Sequence, residues 1–380
     1  MQPYVVQYRK NGRKYFEEGM NILIDINHPA HVHLFRNAYK MLVEKGHEVL
    51  VVVKEIPSAM KLLDLYGIPY FNIGKKDDAI GKKGVDQLVF DRRLLKLVRQ
   101  HHVDLGVGSS INIPHVSKLS RMKSVILDDD DDEVEPLFVK FGHPFADTIL
   151  TPSAIKRKSS KAVYVNAYHE LAYLHPNRFA PDPSVLRDAC VEEGEPYFIL
   201  RFNAFKAHHD IGAEGLSIES KRRLVERLLA CGKVFITTER NIDDEFKPYQ
   251  LMVSPDKAHS LMYYATMFVG DSQTMTSEAA VLGTPAVKCN SFAGRLAVPN
   301  ELEQKYGLCY SFLPEQQEAF FAKIEELLSM PDLKGEWQLR RQHMFSEKID
   351  YTSFLVWFVE NYPKSKQTIV EQPEFQFQFR

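Results

Sequence analysis

Short, continuously apolar runs alternating with helix-length stretches restrict the fold of this chain more than any other feature. Residues 22–26, 49–53, 70–73, 105–108, 125–127 and 149–150 read as strands. Apolar runs of this length, bounded by turn residues, suit strands covered on both faces, as parallel sheets require. Helices are expected over residues 34–45, 58–66 and 88–101, with another opened by Ser109-Ser110-Ile111-Asn112 and Gly46 ending the first. Right-handed crossovers then give one doubly wound sheet whose crevice opens at the strand C-termini. A second cycle begins at Tyr197, with strands over 197–201, 234–236, 267–269 and 286–288 and helices over 218–229, 258–265 and 275–282. Residues 147–196, rich in Pro and Tyr, read as a bridge between the two. The expected organisation is an extension (1–19), an N-terminal α/β domain (20–185), a C-terminal α/β domain (186–362) and a loose tail (363–380). Helices over 316–328 and 351–360 are expected to brace the halves, and two such halves imply a cleft between them.

Composition removes several classes of function. A length of 380 residues exceeds one small core, and a net charge of -2 gives no reason to expect a nucleic-acid partner. Cys190, Cys231, Cys289 and Cys309 are scattered without a CxxC, so neither a disulfide framework nor a zinc knuckle is expected. With no apolar run near the ~20 residues that span a bilayer and no signal peptide, the expected location is the cytoplasm.

Chemistry concentrates in residues 267–286, MFVGDSQTMTSEAAVLGTPA. A strand breaks at Gly270, and the polar turn Asp271-Ser272-Gln273-Thr274 leads into a helix stopped by Gly283. The first N–H groups of such a helix are unpaired and carry the positive end of its dipole, which suits an anion. Ser272 or Thr274 can cap those groups or join them in holding a phosphate. Glu278 lies one turn further, where a carboxylate can accept hydrogen bonds from a ribose diol. The same spacing also fits an ordinary βαβ unit with a polar cap. Other strand-end loops carry Arg201, His208, Asp210 and Glu239.

In the first half, three features meet the strand C-termini: His28, His31 and His33 within six residues, the Ser109-Ser110 turn, and the run Asp128 to Glu133. One short loop rarely supplies three zinc ligands and no Cys or His partner stands near, so no metal is expected. His28 and His33 are expected to pack or cap, with His31 pointing into the crevice. The acidic run reads as a solvated loop, with Asp128 the one member facing the cleft. His169-Glu170, in AYHELAYLHP, reads as packing of the bridge, with a place in the cleft as the alternative.

Two Rossmann-like halves, a His-bearing loop after the first strand and DSQTMTSEAAVLGTP in the second half resemble the GT-B glycosyltransferases. More closely, NHPAHVHLF, GHEVLVVVKE, LRFNAFKAHHD, ITTE and GDSQTMTSEAAVLGTPA resemble domain-of-unknown-function family 354 over residues 20–362. The resemblance implies a GT-B-like α/β fold of two Rossmann-like doubly wound domains facing a central cleft. It implies transfer of a sugar from a nucleotide-sugar donor, in surface polysaccharide or glycoconjugate biosynthesis, with the segment Ser272–Glu278 on the diphosphate and ribose. The chain has Ser272-Gln273 where glycosyltransferases often show Gly-Gly, which limits how closely a phosphate approaches the backbone. Non-hydrolysing UDP-N-acetylglucosamine 2-epimerases share the architecture, so epimerisation stands as an alternative, as does a non-catalytic nucleotide-sugar-binding protein.

On this reading the site residues follow from the chemistry each must do. Asp271, Ser272, Gln273, Thr274 and Glu278 take the nucleotide, with Arg201 the cation meeting the leaving diphosphate and His208, Asp210 and Glu239 around it. His31 is the expected catalytic base on the acceptor side, with Asp128 next in line. No cofactor is expected beyond the nucleotide sugar as substrate. The acceptor is unnamed and includes lipid-linked ones, so peripheral contact with the inner face of the cytoplasmic membrane is compatible.

Overall fold

The computed structural model describes residues 19–75, 83–202, 215–238 and 242–380. Its strands form two sheets. The first contains β1 (Asn21–Ile26), β2 (Glu48–Val53), β3 (Phe71–Asn72), β4 (Leu105–Gly108), β5 (Lys123–Leu127), β6 (Thr148–Pro152) and β7 (Ala162–Val165), in the order β3-β2-β1-β4-β5-β6-β7. The second contains β8 (Tyr197–Arg201), β9 (Lys233–Thr237), β10 (Met267–Gly270), β11 (Ala286–Cys289) and β12 (Cys309–Phe312), in the order β12-β11-β10-β8-β9. The pairs joining β3, β2, β1, β4 and β5 are parallel, as are all pairs of the second sheet.

The chain packs as two compact units, and each is described on its own. The first holds the described residues up to 127 with 137–149 and 356–365; the second holds 128–136, 150–355 and 366–380. In the first, Leu23, Val52, Ile113, Ile126 and Ile149 join Phe90, Leu94 and Val98 from the helix Lys83–Gln100 in one buried cluster. In the second, Phe198, Leu200, Phe268, Val269 and Val287 are buried with Leu224 and Leu228 of the helix Ile218–Leu229. Strands buried on both faces explain the unbroken apolar runs, because no position needs to alternate.

Several sequence expectations need correction. The bridge contains a strand, β7, an apolar run (AVYV) that is only partly buried and has no helix of useful length after it, so strand–helix alternation does not mark it. β12 (CYSF), with its polar interruption, and the helices Ala297–Gln304 and Leu333–Glu347 went unread for similar reasons. The first helix begins at Pro29, not residue 34. Proline at the first helical position needs no partner for its missing N–H, and His28 caps it by accepting from the Ala30 N–H at 3.2 Å. The expected loose tail is ordered as the helix Lys364–Glu371 and a 3₁₀ segment, Pro373–Phe379. Gln376 Oε1 accepts from the Asn166 N–H at 2.6 Å and the Phe379 carbonyl accepts from the Asp350 N–H at 2.7 Å. Aromatic residues scattered in a polar context hide such an element from a periodicity search.

Candidate functional site

Both sheets reverse their winding beside their first strand: β1 lies between β2 and β4, and β8 between β9 and β10. A doubly wound sheet opens its ligand crevice beyond the strand C-termini at that reversal.

In the second unit, Gly270 ends β10 with Arg201 of β8 opposite on one side and Lys288 of β11 on the other. A Cβ on Gly270 would lie 2.4 Å from the Arg201 carbonyl oxygen, so the close approach requires glycine. Ser272 then takes extended geometry (φ -82, ψ 124) and its Oγ accepts from the Met275 N–H at 3.4 Å. Ser272, not Thr274, is therefore the cap, and the helix Gln273–Leu282 starts two residues earlier than expected. Gly283, at φ 70, closes it as the sequence indicated. Asp271 is buried; its N–H donates to the Arg201 carbonyl at 3.2 Å, and its own carbonyl accepts from Asn290 Nδ2 at 2.9 Å.

Two cations stand on the strands either side of β10. Arg201 is 8% exposed and donates from Nη1 to Thr237 Oγ1 at 3.2 Å. Lys288 is 1% exposed, donates to Gln273 Oε1, and has its ammonium pushed down to about 8 by burial. Sequence reading passed over Lys288. Its signal was a lysine inside an otherwise apolar buried strand, which a solvated role does not explain. Glu278 is buried and its Oε1 accepts from Tyr173 Oη at 2.8 Å and from His259 Nε2 at 3.0 Å. The carboxylate is thus held in one orientation before any ligand arrives. His208, Asp210 and Glu239 lie outside the described residues.

In the first unit, Asp25 on β1 sits opposite Gly108 on β4 and is fully buried. Ser110 Oγ donates to its Oδ2, and burial raises its pKa above the carboxylate range against the pull of Lys54. Asn27 Nδ2 donates to the Ser109 carbonyl at 3.0 Å, and Asn112 Nδ2 to Asp91 Oδ1 at 2.7 Å. Asp25 Oδ1, Asn27 Oδ1, Asn112 Oδ1 and Ser109 Oγ are buried with no hydrogen-bond partner among the described residues. His33 packs edge-on against Tyr66 at 5.8 Å, so it packs and His28 caps, as expected. His31 lies half-buried in the first turn of the helix Pro29–Glu44, and its Nδ1 accepts from the Asn27 N–H at 3.4 Å. A ring engaged that way carries its neutral-form proton on Nε2 and is a donor there.

The acidic run is no solvated loop. Arg157, with a fully buried side chain, draws it inward: its guanidinium pairs with Asp128 at 3.0 Å and with Asp132, and donates to the carbonyls of Asp128 and Asp130. Asp128 is buried in that pair, which occupies the carboxylate expected to face a cleft. Asp131 Oδ2 accepts from the Ala297 N–H at 2.7 Å. Asp129 pairs with His169 Nδ1 at 3.0 Å. A buried guanidinium needs acceptors, and the run supplies them; nothing local to residue 157 in the chain signals its burial. Among the described residues, no three His, Cys, Asp or Glu side chains gather as a metal site would need, and no helix is long and apolar enough to cross a membrane.

Comparison with known proteins bears on both family and fold. The model of the family described as "Protein of unknown function (DUF354)" matches residues 20–300. The uncharacterized protein MJ0665 of Methanocaldococcus jannaschii is 22% identical over 295 residues, 71% of this chain and 82% of that protein. The S. aureus MnaA–UDP co-structure superposes with a TM-score of 0.66 at 12% identity, covering 91% of this chain and 97% of that one. A UDP-N-acetylglucosamine 2-epimerase gives 0.60 at 14% identity, covering 96% and 97%. The spinosyn forosaminyltransferase SpnP gives 0.59 at 15% identity, covering 87% and 96%. At these identities the likeness is one of fold, and it establishes a GT-B-like α/β architecture.

Proposed function

The chain belongs to the family of unknown function DUF354, and from that premise we propose that it is an enzyme that transfers a sugar from a nucleotide-sugar donor to an acceptor hydroxyl. One observation carries the reading: Arg201 and Lys288 flank the glycine at which β10 opens into the Ser272-capped helix. Unpaired helix N–H groups and two buried cations suit a diphosphate, and they can meet the charge that develops on it as it leaves. Glu278, fixed through Oε1 by Tyr173 and His259, is the acceptor for a ribose diol. Asp271, Gln273 and Thr274 complete the turn, and the strand-end residues His208, Asp210 and Glu239 belong to the same proposal. In the first unit, buried acceptors without partners favour a ligand rich in hydroxyl groups, as a sugar acceptor is. His31 joins that side as an Nε2–H donor, and Asp128 shapes the acidic loop through Arg157. The proposed location is the cytoplasm, with an acceptor that includes lipid-linked ones.

Epimerisation of a nucleotide sugar is the second reading, favoured by the 2-epimerase likeness. A panel of nucleotide sugars, with binding followed by calorimetry and turnover by chromatography, tests both. Release of nucleoside diphosphate only in the presence of a hydroxyl acceptor supports transfer. Conversion of the nucleotide sugar alone supports epimerisation. Binding of none of the panel overturns both.

A further inference from the structure

We propose that His169, oriented by Asp129, is the base that takes the acceptor proton, in place of the His31 expected from the sequence; this rests on the nucleotide-sugar reading above. His169 follows β7 and precedes the helix Leu171–Leu174. Its Nδ1 lies 3.0 Å from Asp129 Oδ2, while its Nε2 is buried with no hydrogen-bond partner among the described residues. Such an atom is costly to bury, by about 1–3 kcal/mol, unless a ligand group or water completes it. A carboxylate on Nδ1 fixes that proton there and leaves the Nε2 lone pair to accept, the arrangement a general base needs. His31 has the opposite arrangement, because a backbone N–H occupies its Nδ1 lone pair.

The segment is tied to the nucleotide side. Tyr173, one turn on, donates to Glu278, and Glu170 feels the Glu278 charge. The groups facing His169 are Asp128, Asp129 and Asp130 of the acidic loop, Glu170 beside it and the Tyr351 ring at 5.5 Å. Burial, opposed by Asp129 above all, leaves the imidazole pKa raised. Burial and Asp129 push Glu170 up to about 8. Asp129 is 41% exposed, which keeps the pair in reach of solvent.

The step balances without a further reactant. His169 Nε2 takes the proton of the acceptor O–H as that oxygen bonds the anomeric carbon. The bond from that carbon to the diphosphate oxygen breaks, and its electron pair leaves with the nucleoside diphosphate. Asp129 is a positioning residue that steadies the imidazolium.

The test compares His169→Gln, Asp129→Ala and His31→Gln in the full chain, with UDP binding by calorimetry and ¹⁵N-histidine NMR beside turnover of a nucleotide sugar from the panel. His169→Gln should lower kcat by about 10²–10⁴ with UDP affinity within about twofold, whereas His31→Gln should cost about tenfold or less. Activity should rise with pH as His169 loses its proton. Asp129→Ala should move that acid limb to lower pH, which a merely structural role would not do. In the wild type, NMR should show the neutral ring with its proton on Nδ1. A proton on Nε2, an unmoved limb, or a His169→Gln loss below tenfold would overturn the assignment. Wild-type protein that binds no member of the panel and no nucleoside diphosphate would instead signal failure of the nucleotide-site reading, while intact nucleotide binding with unchanged variant rates signals failure of the base alone.

Discussion

The two sheets reverse their winding at matching places, and each places a charged side chain opposite a glycine: Asp25 beside Gly108 in the first, Arg201 beside Gly270 in the second. The backbone solution is the same, with an acid in one place and a base in the other. Around Asp25 the buried unsatisfied atoms are mainly acceptors, from Asn27 and Asn112 as well. Around Arg201 stand Lys288 and the N-terminus of a capped helix. On the proposed function, the first would receive hydrogen-bond donors and the second an anion. What such a strand end could hold is set by the residues that stand there rather than by the fold element itself.

The largest contrast should come from the glycines. A Cβ on Gly270 would meet the Arg201 carbonyl oxygen at 2.4 Å, whereas on Gly108 it would meet Asp25 Cβ and carbonyl oxygen at 3.0 Å. Gly270→Ala should therefore lose roughly 3 kcal/mol and Gly108→Ala about 1 kcal/mol, within the range for overpacking. Denaturant melts of the two variants check this, and equal losses would break the ranking.

The acid and the base should also give opposite pH slopes. Burial raises Asp25, so the native state keeps a proton that the unfolded chain has released. Its contribution is full below the unfolded pKa and falls as pH rises through the folded one. Lys288 is lowered to about 8 from 10.5, so the unfolded chain holds the extra proton and stability rises with pH between those values. At roughly 1.4 kcal/mol per pKa unit, the Lys288 term approaches about 3 kcal/mol. Asp25→Asn should flatten the acid-side slope of melting temperature, and Lys288→Met the alkaline-side slope. A variant that leaves its own slope unchanged would remove that residue from the account.

Smaller still is the difference between caps. Ser272→Ala should cost about 1 kcal/mol, because serine is among the best N-caps. His28 caps an exposed turn before a proline, and His28→Ala should cost a few tenths. Thermal melts at one pH order the two, and a larger loss at His28 would show that the first helix depends on its cap more than the second.

Much of this was legible in the chain. Continuous apolar runs located nine of the twelve described strands outright, and β3 as a longer run than the two residues that pair. The turn at Asp271–Thr274 was legible because Gly270, Ser272 and Gly283 are dictated by local backbone geometry. Lys288, Arg157 and the Asp129–His169 pair were harder, because burial of a charged group is decided by what packs over it. Asp129 and His169 stand 40 positions apart (169 − 129), and local periodicity carries no sign of their meeting. His31 drew attention from its place after β1, while the direction of its ring proton depended on the Asn27 backbone.

Calorimetric titration of UDP into the wild type, Arg201→Met, Lys288→Met and Asp25→Asn tests the central claim most directly. The account predicts measurable binding by the wild type, with each cation variant weakened by about 1.5–3 kcal/mol, or roughly 10- to 150-fold in Kd, and Asp25→Asn unchanged within about twofold. Loss at Asp25 with Arg201→Met and Lys288→Met binding as the wild type does would contradict it, because the anion would then sit at the acid site.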